Sequence, residues 1–145
     1  TRFMSVRGLG DVYKRQALTW TPDVTIASLI CGLLIDTLLV VNNYRDHEAD
    51  ARSGKRTVIV RFGEKFGRYF YLMLGITASL LCLCFLREGH FYAAFLPQLY
   101  LIPHFLTWKR MVKIYSGKKL NSILGETSRN MLLMGILIAI GMLIN

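Results

Sequence analysis

The sequence predicts an all-α, polytopic transmembrane helix bundle with about four spans. Hydrophobic residues make up 53% of its 145 residues and the mean hydropathy is +0.39, well above that of an ordinary soluble domain. Several apolar runs approach the roughly 20 helical residues that cross a bilayer core. Most charged residues lie between these runs, as expected for loops that flank membrane helices.

The four predicted spans cover residues 23–43, 66–86, 91–108 and 131–144, and the last should extend back through 122–129. Thr21 is the expected N-cap of the first span, with Pro22 in its first turn. The second and third spans are separated by a very short turn and should form an antiparallel hairpin. Pro97 and Pro103 interrupt the third span, so we expect a kink where a neighbouring group can satisfy the freed carbonyl.

The charge balance is strongly basic, with 18 Lys and Arg against 9 Asp and Glu. A basic chain can bind nucleic acid, but charges that alternate with apolar runs favour the lipid bilayer as the partner and exclude nucleic acid. The basic loops 44–65 and 108–120 should face the cytoplasm. We therefore expect a multi-pass protein of the cell inner (plasma) membrane.

Residues 1–16 depart from this charge pattern. They should lie on the outer side, yet they contain four basic residues. We expect them to be a non-native or disordered segment, similar to the translated ends of broken sequence fragments, and we assign residues 17–145 to the transmembrane domain. The alternative is a genuine outer tail or an amphipathic surface segment.

Candidate chemistry is concentrated at the end of the first span. If the helix continues to Asp50, then Asp36, Asn43, Asp46 and Asp50 lie within about 80° of one another around its axis. Asp36 lies at membrane depth and should face the protein interior, because a carboxylate in lipid is costly. Two carboxylates one turn apart, Asp46 and Asp50, suit Mg²⁺, which typically takes one or two carboxylates together with substrate phosphates. The sequence therefore predicts a metal-bridged diphosphate site.

A D-x-x-x-D pattern alone is often only helix surface. The chemical interpretation is favoured by Asn42 and Asn43 at the membrane boundary and by the cations Lys55 and Arg56 just beyond it, which can hold phosphate oxygens. His47 has a different helical phase from the two aspartates. We expect it to be hydrogen-bonded or solvated rather than a metal ligand.

The stretch from Asn42 to Thr57 has the sequence NNYRDHEADARSGKRT and is followed by Val58 to Gly63. It resembles the second aspartate-rich motif of the UbiA superfamily of membrane prenyltransferases, in the form typical of the branch that prenylates 1,4-dihydroxy-2-naphthoate in menaquinone biosynthesis. The C-terminal stretch from Leu120 onward is similar to the last helix of that branch. The resemblance covers about residues 20–145.

This resemblance implies nine transmembrane helices around a central cavity, with two aspartate-rich motifs facing each other. The chain would supply helices six to nine and the second motif. An N-D-x-x-D first motif is missing from the sequence. We therefore expect a fragment that is inactive alone and whose partner is the missing N-terminal half of the same enzyme.

The resemblance also implies roles for individual residues. Asp46 and Asp50 would be catalytic and ligate Mg²⁺. The substrate-binding residues would be Asn42, Asn43, Arg45, Lys55 and Arg56, although Arg45 points away from Asp46 in a regular helix. The substrates would be a polyprenyl diphosphate and an aromatic acceptor, bound on the cytoplasmic side.

Two alternative functions are also compatible with the sequence. A prenyltransferase of the same superfamily could act on another acceptor, such as 4-hydroxybenzoate, homogentisate or a heme precursor. A transporter or scaffold segment could instead bind an ion on its acidic face without chemistry.

Overall fold

The computed structural model describes residues 21–144, and this part of the chain is helical with short connections. The first helix, α1 (Pro22–Arg52), starts after Thr21, whose backbone is extended. Thr21 therefore occupies the predicted N-cap position, although its side chain makes no capping hydrogen bond. At about 1.5 Å per residue, α1 is roughly 46 Å long and extends well beyond a hydrocarbon core of about 30 Å. The segment 1–16, expected to be non-native, lies outside the described residues.

The remaining elements follow in chain order. They are α2 (Val58–Phe62), α3 (Glu64–Cys82) with a 3₁₀ extension (Leu83–Glu88), α4 (Phe91–Phe95), a 3₁₀ turn (Leu96–Tyr100), α5 (Leu101–Ile114) and α6 (Leu120–Ile144). We call the end of the bundle at which α1 ends and α6 begins the basic end.

Within residues 21–144, three stretches are long and apolar enough to cross a membrane: Pro22–Arg52, Glu64–Glu88 and Leu120–Ile144. They confirm the first, second and fourth predicted spans, and α6 begins even earlier than its predicted extension. The predicted third span is different. It is divided into α4, the 3₁₀ turn and α5, so no single helix of that region meets the length criterion.

The break in the third span occurs at Pro97, within the 3₁₀ turn. The side-chain amide of Gln98 donates to the carbonyl oxygens of Ala94 at 3.0 Å and of Ser79 at 2.9 Å. The Ser79 hydroxyl donates back to Gln98 Oε1 at 2.7 Å. The kink expected from the proline is thus stabilised by side-chain hydrogen bonds within the protein, whereas Pro103 is accommodated in the first turn of α5.

The broken span nevertheless runs antiparallel to α3 along its length. Near the basic end, Trp108 Nε1 donates to the Arg68 carbonyl at 2.9 Å. One turn further along α3, His104 Nε2 lies 3.3 Å from the Leu72 carbonyl. Together with the contact between Ser79 and Gln98, this register confirms the predicted hairpin.

Polar groups within the bundle are paired between helices. The hydroxyls of Tyr71 and Thr127 are 3.1 Å apart, and Asn130 Nδ2 donates to Thr107 Oγ1 at 3.0 Å. They join α3 and α5 to α6, in a region where an unpaired polar group would have no water to replace its partner. Many large apolar side chains on the outside, such as Ile102 at 63% exposed, are available to lipid.

His104 packs directly against the backbone of α3 at Gly75. A Cβ atom at this glycine would overlap the imidazole ring of His104, which is 1% exposed and held between Tyr71 and Tyr100. We expect Gly75→Ala to destabilise the protein by about 1–3 kcal/mol, since overpacking forces the helices apart. The measurement is thermal unfolding of the purified protein in detergent.

Gly135→Ala is the matched control for Gly75→Ala. Gly135 lies in α6, and a Cβ there meets no atom within 4 Å. The control should be neutral or slightly stabilising, because alanine has the higher helix propensity. Equal unfolding temperatures for the two variants would contradict the tight packing at Gly75.

Candidate functional site

The acidic motif lies on the last turns of α1, at the basic end. The helix continues through Asp50 and ends at Arg52, which confirms the helical continuity expected for the motif. Gly54 then adopts a positive φ of 75°, and the Lys55 amide donates to the Asp50 carbonyl at 2.9 Å. A glycine in this conformation ends a helix without steric strain. The turn brings Lys55 back towards Asp50.

Arg45 and Asp46 form a two-pronged ion pair. Arg45 Nε and Nη2 donate to the two carboxylate oxygens of Asp46 at 2.7 and 2.6 Å. The same guanidinium donates to Asn42 Oδ1 at 2.8 Å and to Asn121 Oδ1 at 2.9 Å. In a regular helix the Cα–Cβ bond of Arg45 points away from the Asp46 side chain. The long side chain of Arg45 nevertheless bends back and reaches the Asp46 carboxylate. Through Asn121, Arg45 also connects α1 to α6.

Asp50 is the more buried of the two aspartates. Its side chain is 12% exposed, and Oδ1 accepts from Lys55 Nζ at 3.3 Å. The other oxygen, Oδ2, is buried and has no hydrogen-bond partner in the described structure. A buried carboxylate oxygen without a partner is energetically costly, so this atom is available to a cation.

A polar cleft of about 550 Å³ adjoins the motif. Its lining includes Arg45, Asp46 and Arg52 from α1, and Ser116, Lys118 and Asn121 from the region around the start of α6. Three cations and two carboxylates, Asp46 and Glu48, thus face a shared space, which leaves an excess of positive charge. This composition suits an anionic ligand.

The predicted site residues are only partly gathered in this cleft. Arg45 and Asp46 line it, and Asn42 reaches it indirectly through its hydrogen bond with Arg45. Asp50 and Lys55 form their own pair and do not line the cleft. Asn43 is half-buried and Arg56 is exposed in the loop.

Sequence reasoning missed the contribution of Ser116, Lys118 and Asn121. For Ser116 and Lys118, the sequence offers the basic loop 108–120 as a signal, but that loop by itself predicts only topology. Whether such a loop lies over the motif depends on how α6 packs against α1. The contact between Arg45 and Asn121 establishes that packing.

His47 helps to fix the end of α1 from the opposite side. Its Nδ1 lies 2.7 Å from the Tyr44 carbonyl, and its Nε2 lies 3.0 Å from Glu64 Oε1, on the first turn of α3. Arg68 donates to the hydroxyl of Tyr44 at 2.8 Å and to Glu64 at 3.4 Å. His47 is therefore hydrogen-bonded within the fold, as expected from its helical phase.

Tyr115 lies beside this network, in the loop before α6. A hydrogen bond with Glu64, followed by the negative charge of that carboxylate, raises the pKa of Tyr115 above its ordinary value. Its φ of 67° places a non-glycine residue in the left-handed region. The loop that contributes Ser116 and Lys118 to the cleft thus begins with a strained residue.

The described residues contain no cluster of three or more His, Cys, Asp or Glu side chains suited to a metal ion. This excludes a protein-only cage in that part of the chain, but Mg²⁺ rarely uses one. It binds through one or two carboxylates and takes its other ligands from water and phosphate. The unpartnered Oδ2 of Asp50 fits that requirement, whereas both oxygens of Asp46 accept hydrogen bonds from Arg45 in the described structure.

Comparisons with known proteins agree with the resemblance of the motif. The UbiA prenyltransferase family matches residues 9–143. A 1,4-dihydroxy-2-naphthoate octaprenyltransferase from Haemophilus influenzae is 31% identical over 146 aligned positions, which cover 98% of this chain and 46% of that protein. A protein of the same name from Escherichia coli is 40% identical over 68 positions, covering 47% of this chain and 22% of the relative.

No solved structure gives a significant match to the chain. The chain spans less than half the length of the curated relatives it matches. The family match, however, covers nearly the whole sequence and includes the acidic motif, the cleft residues and all three apolar spans. The chain belongs to the UbiA prenyltransferase family.

Proposed function

We propose that this chain forms the C-terminal part of an enzyme that transfers a polyprenyl group from polyprenyl diphosphate to 1,4-dihydroxy-2-naphthoate, with Mg²⁺ as cofactor. The observation that carries the proposal is a cation-lined cleft that contains Asp46, at the end of a membrane-spanning helix, with the unpartnered oxygen of Asp50 about one helical turn further along. The names of the two relatives support the choice of acceptor.

The cleft offers binding groups for the diphosphate. Arg45, Arg52 and Lys118 line it, and guanidinium groups bind phosphate oxygens in a two-pronged manner. Lys55 and Arg56 follow in the loop and can approach from the other side of the motif. When bound, Mg²⁺ would neutralise charge on the leaving diphosphate, and Asp46 and Asp50 would hold it.

Arg45 would change partners when the substrate binds. Without ligand, its guanidinium neutralises Asp46 through two hydrogen bonds. A diphosphate in the cleft offers an alternative acceptor to the same guanidinium, and the carboxylate of Asp46 then becomes free for the metal. Asn42 and Asn121 would keep the arginine side chain in place during this exchange.

In the reaction, the bond between the first prenyl carbon and the diphosphate oxygen breaks, leaving an allylic cation. The electron-rich ring attacks this cation, a carbon–carbon bond forms, and the ring carboxylate leaves as CO₂. The products are diphosphate, CO₂ and a prenylated naphthalenediol, the reduced form of a demethylmenaquinone. The protein would position both substrates and exclude water from the cation.

Family membership argues against a transporter or scaffold. A prenyltransferase with a different acceptor remains the competing function, because the proposed metal and diphosphate chemistry would be the same. Acceptor specificity therefore needs its own test.

The carboxylates are tested by Asp46→Asn and Asp50→Asn in an enzyme of the relatives' full length that carries this sequence. Each change should lower turnover at least about 100-fold, since it removes a negative charge from the metal–diphosphate complex. The measurement is diphosphate release across a Mg²⁺ titration, with membrane insertion checked in parallel. Glu88→Gln, a change to an exposed carboxylate at the opposite end of α3, is the control. Near-normal rates in both aspartate variants would exclude a role in the chemistry.

The acceptor is tested by competition. Membranes containing the same enzyme should convert 1,4-dihydroxy-2-naphthoate and a polyprenyl diphosphate to the prenylated product, with release of CO₂, and chelation of Mg²⁺ should stop the reaction. 4-Hydroxybenzoate supplied at equal concentration should react more slowly. Preferential prenylation of 4-hydroxybenzoate would leave the metal mechanism intact and refute the naphthoate assignment.

The proposed cytoplasmic location of the site rests on the basic loops 44–65 and 108–120. In a background without Cys31, Cys82 and Cys84, Ser53→Cys and Ser116→Cys should react with an impermeant thiol reagent only from the cytoplasmic side. Glu88→Cys, in the opposite turn, is the control and should react from outside. Labelling of Ser53→Cys in intact cells would reverse the proposed orientation.

A further inference from the structure

Arg129 is a charged residue on an exposed face of α6, within a stretch long and apolar enough to span the membrane. It lies about 13 Å along the helix axis from Leu120, the first residue of α6, at a rise of about 1.5 Å per residue. An ionisable side chain at such a depth is costly in lipid and normally faces a protein interior or a water-filled cavity. We therefore expect the exposed face around Arg129 to be covered by protein or to line a water-filled cavity in the complete enzyme.

The expected intrahelical partner of Arg129 is already engaged. Glu126, three residues earlier, pairs with Arg110 Nη1 at 2.7 Å and accepts from Thr107 Oγ1 at 3.2 Å. Between residues 21 and 144, no ion pair or hydrogen bond occupies the guanidinium of Arg129. An exposed arginine without a partner among the described residues is available to a ligand.

The neighbouring helix carries a second charge at a similar depth. Arg45 of α1 contacts Asn121 of α6, and from this contact the two antiparallel helices continue into the membrane. Asp36 lies about 13 Å deeper on α1, and Arg129 about 12 Å deeper on α6. Asp36 is also exposed. Two opposite charges therefore lie at a similar depth on the exposed surfaces of α1 and α6, where lipid would require apolar residues.

A groove between α1 and α6 contains Ser128, the residue before Arg129, and Asn42, near the acidic motif. It has a volume of about 460 Å³ and is lined by Leu38, Leu39 and Asn42 of α1 and by Leu124 and Ser128 of α6, among others. Asn42 binds Arg45, which binds Asp46. The Cα–Cβ bonds of a helix tilt towards its N-terminus, so the side chain of Arg129 leans back towards the basic end.

We propose that Arg129 binds the carboxylate of the aromatic acceptor, an inference that rests on the proposed function. The diphosphate has its own cations at the helix end, in Arg45, Arg52 and Lys118. Arg129 is about 12 Å deeper, beside apolar residues such as Leu132 that suit an aromatic ring. A planar guanidinium matches a carboxylate in a two-pronged geometry. Arg129 thereby selects acceptors that carry a carboxylate.

The test measures binding rather than turnover, with two fluorescent probes, 1-hydroxy-2-naphthoate and 1-naphthol, that differ only in the carboxylate. They are titrated into the full-length enzyme in lipid nanodiscs. Arg129→Gln should weaken binding of the naphthoate by about 10- to 100-fold, the range of a lost charged hydrogen bond. Binding of the naphthol should change less than about twofold. Arg129→Lys should be intermediate, since it keeps the charge without the fork.

Arg87→Gln is the control, because Arg87 is an exposed arginine in the turn at the opposite end of the bundle. Unchanged naphthoate affinity in Arg129→Gln would overturn the proposal. So would an equal loss for both probes, which would point to a structural ion pair with another part of the enzyme. Turnover of 1,4-dihydroxy-2-naphthoate by the unmodified enzyme is measured separately. Its failure would contradict the proposed function without deciding the role of Arg129.

Discussion

The rest of the structure depends on the requirement that polar groups inside a membrane find partners within the protein. At the Pro97 break the side chain of Gln98 meets this requirement, and between the helices the pairs Tyr71–Thr127 and Asn130–Thr107 do so. Because these contacts join different helices, they also fix how the helices pack. Asp36 and Arg129 are exposed at comparable depth, and neither has such a partner among the described residues.

Electrostatics organises the basic end in a similar way. Each carboxylate of the motif is matched with a cation, Asp46 with Arg45 and Asp50 with Lys55. Charge neutralisation stabilises the end of α1 without ligand, but the same cations are the groups that an anionic substrate needs. In the proposed function, substrate binding would therefore exchange the partners of these cations. On its opposite side, the end of α1 is held by the contacts among His47, Glu64 and Arg68. A change of partners at Arg45 would therefore leave the orientation of the helix end unchanged.

Much of this arrangement could be predicted from the sequence because hydropathy and helical periodicity are local signals. The spans, the hairpin and the continuation of α1 through Asp50 all follow from them. The break of the third span at Pro97 could be predicted as a kink. Its 3₁₀ turn, however, is held by a hydrogen bond between Gln98 and Ser79, which are 19 residues apart in sequence. Three further features also depend on how the side chains meet in the folded protein. They are the bend of Arg45 towards Asp46, its contact with Asn121, and the ion pair of Glu126 with Arg110. The helical periodicity of a sequence gives the direction of each Cα–Cβ bond, but it does not show which neighbour a long side chain reaches.

The continuity of α1 has a consequence for how this sequence can vary. A single rigid helix carries the membrane span, Asp36 and the acidic motif, with no loop to absorb a change in length. Inserting or deleting one residue between Asp36 and Asp46 would turn one carboxylate relative to the other by about 100° and move it by about 1.5 Å. Arg45 would then no longer face Asn121, and His47 would no longer face Glu64. Substitutions can be accommodated along this helix, whereas insertions and deletions cannot. The length of α1 therefore fixes the distance between the membrane-spanning part of the helix and the acidic motif.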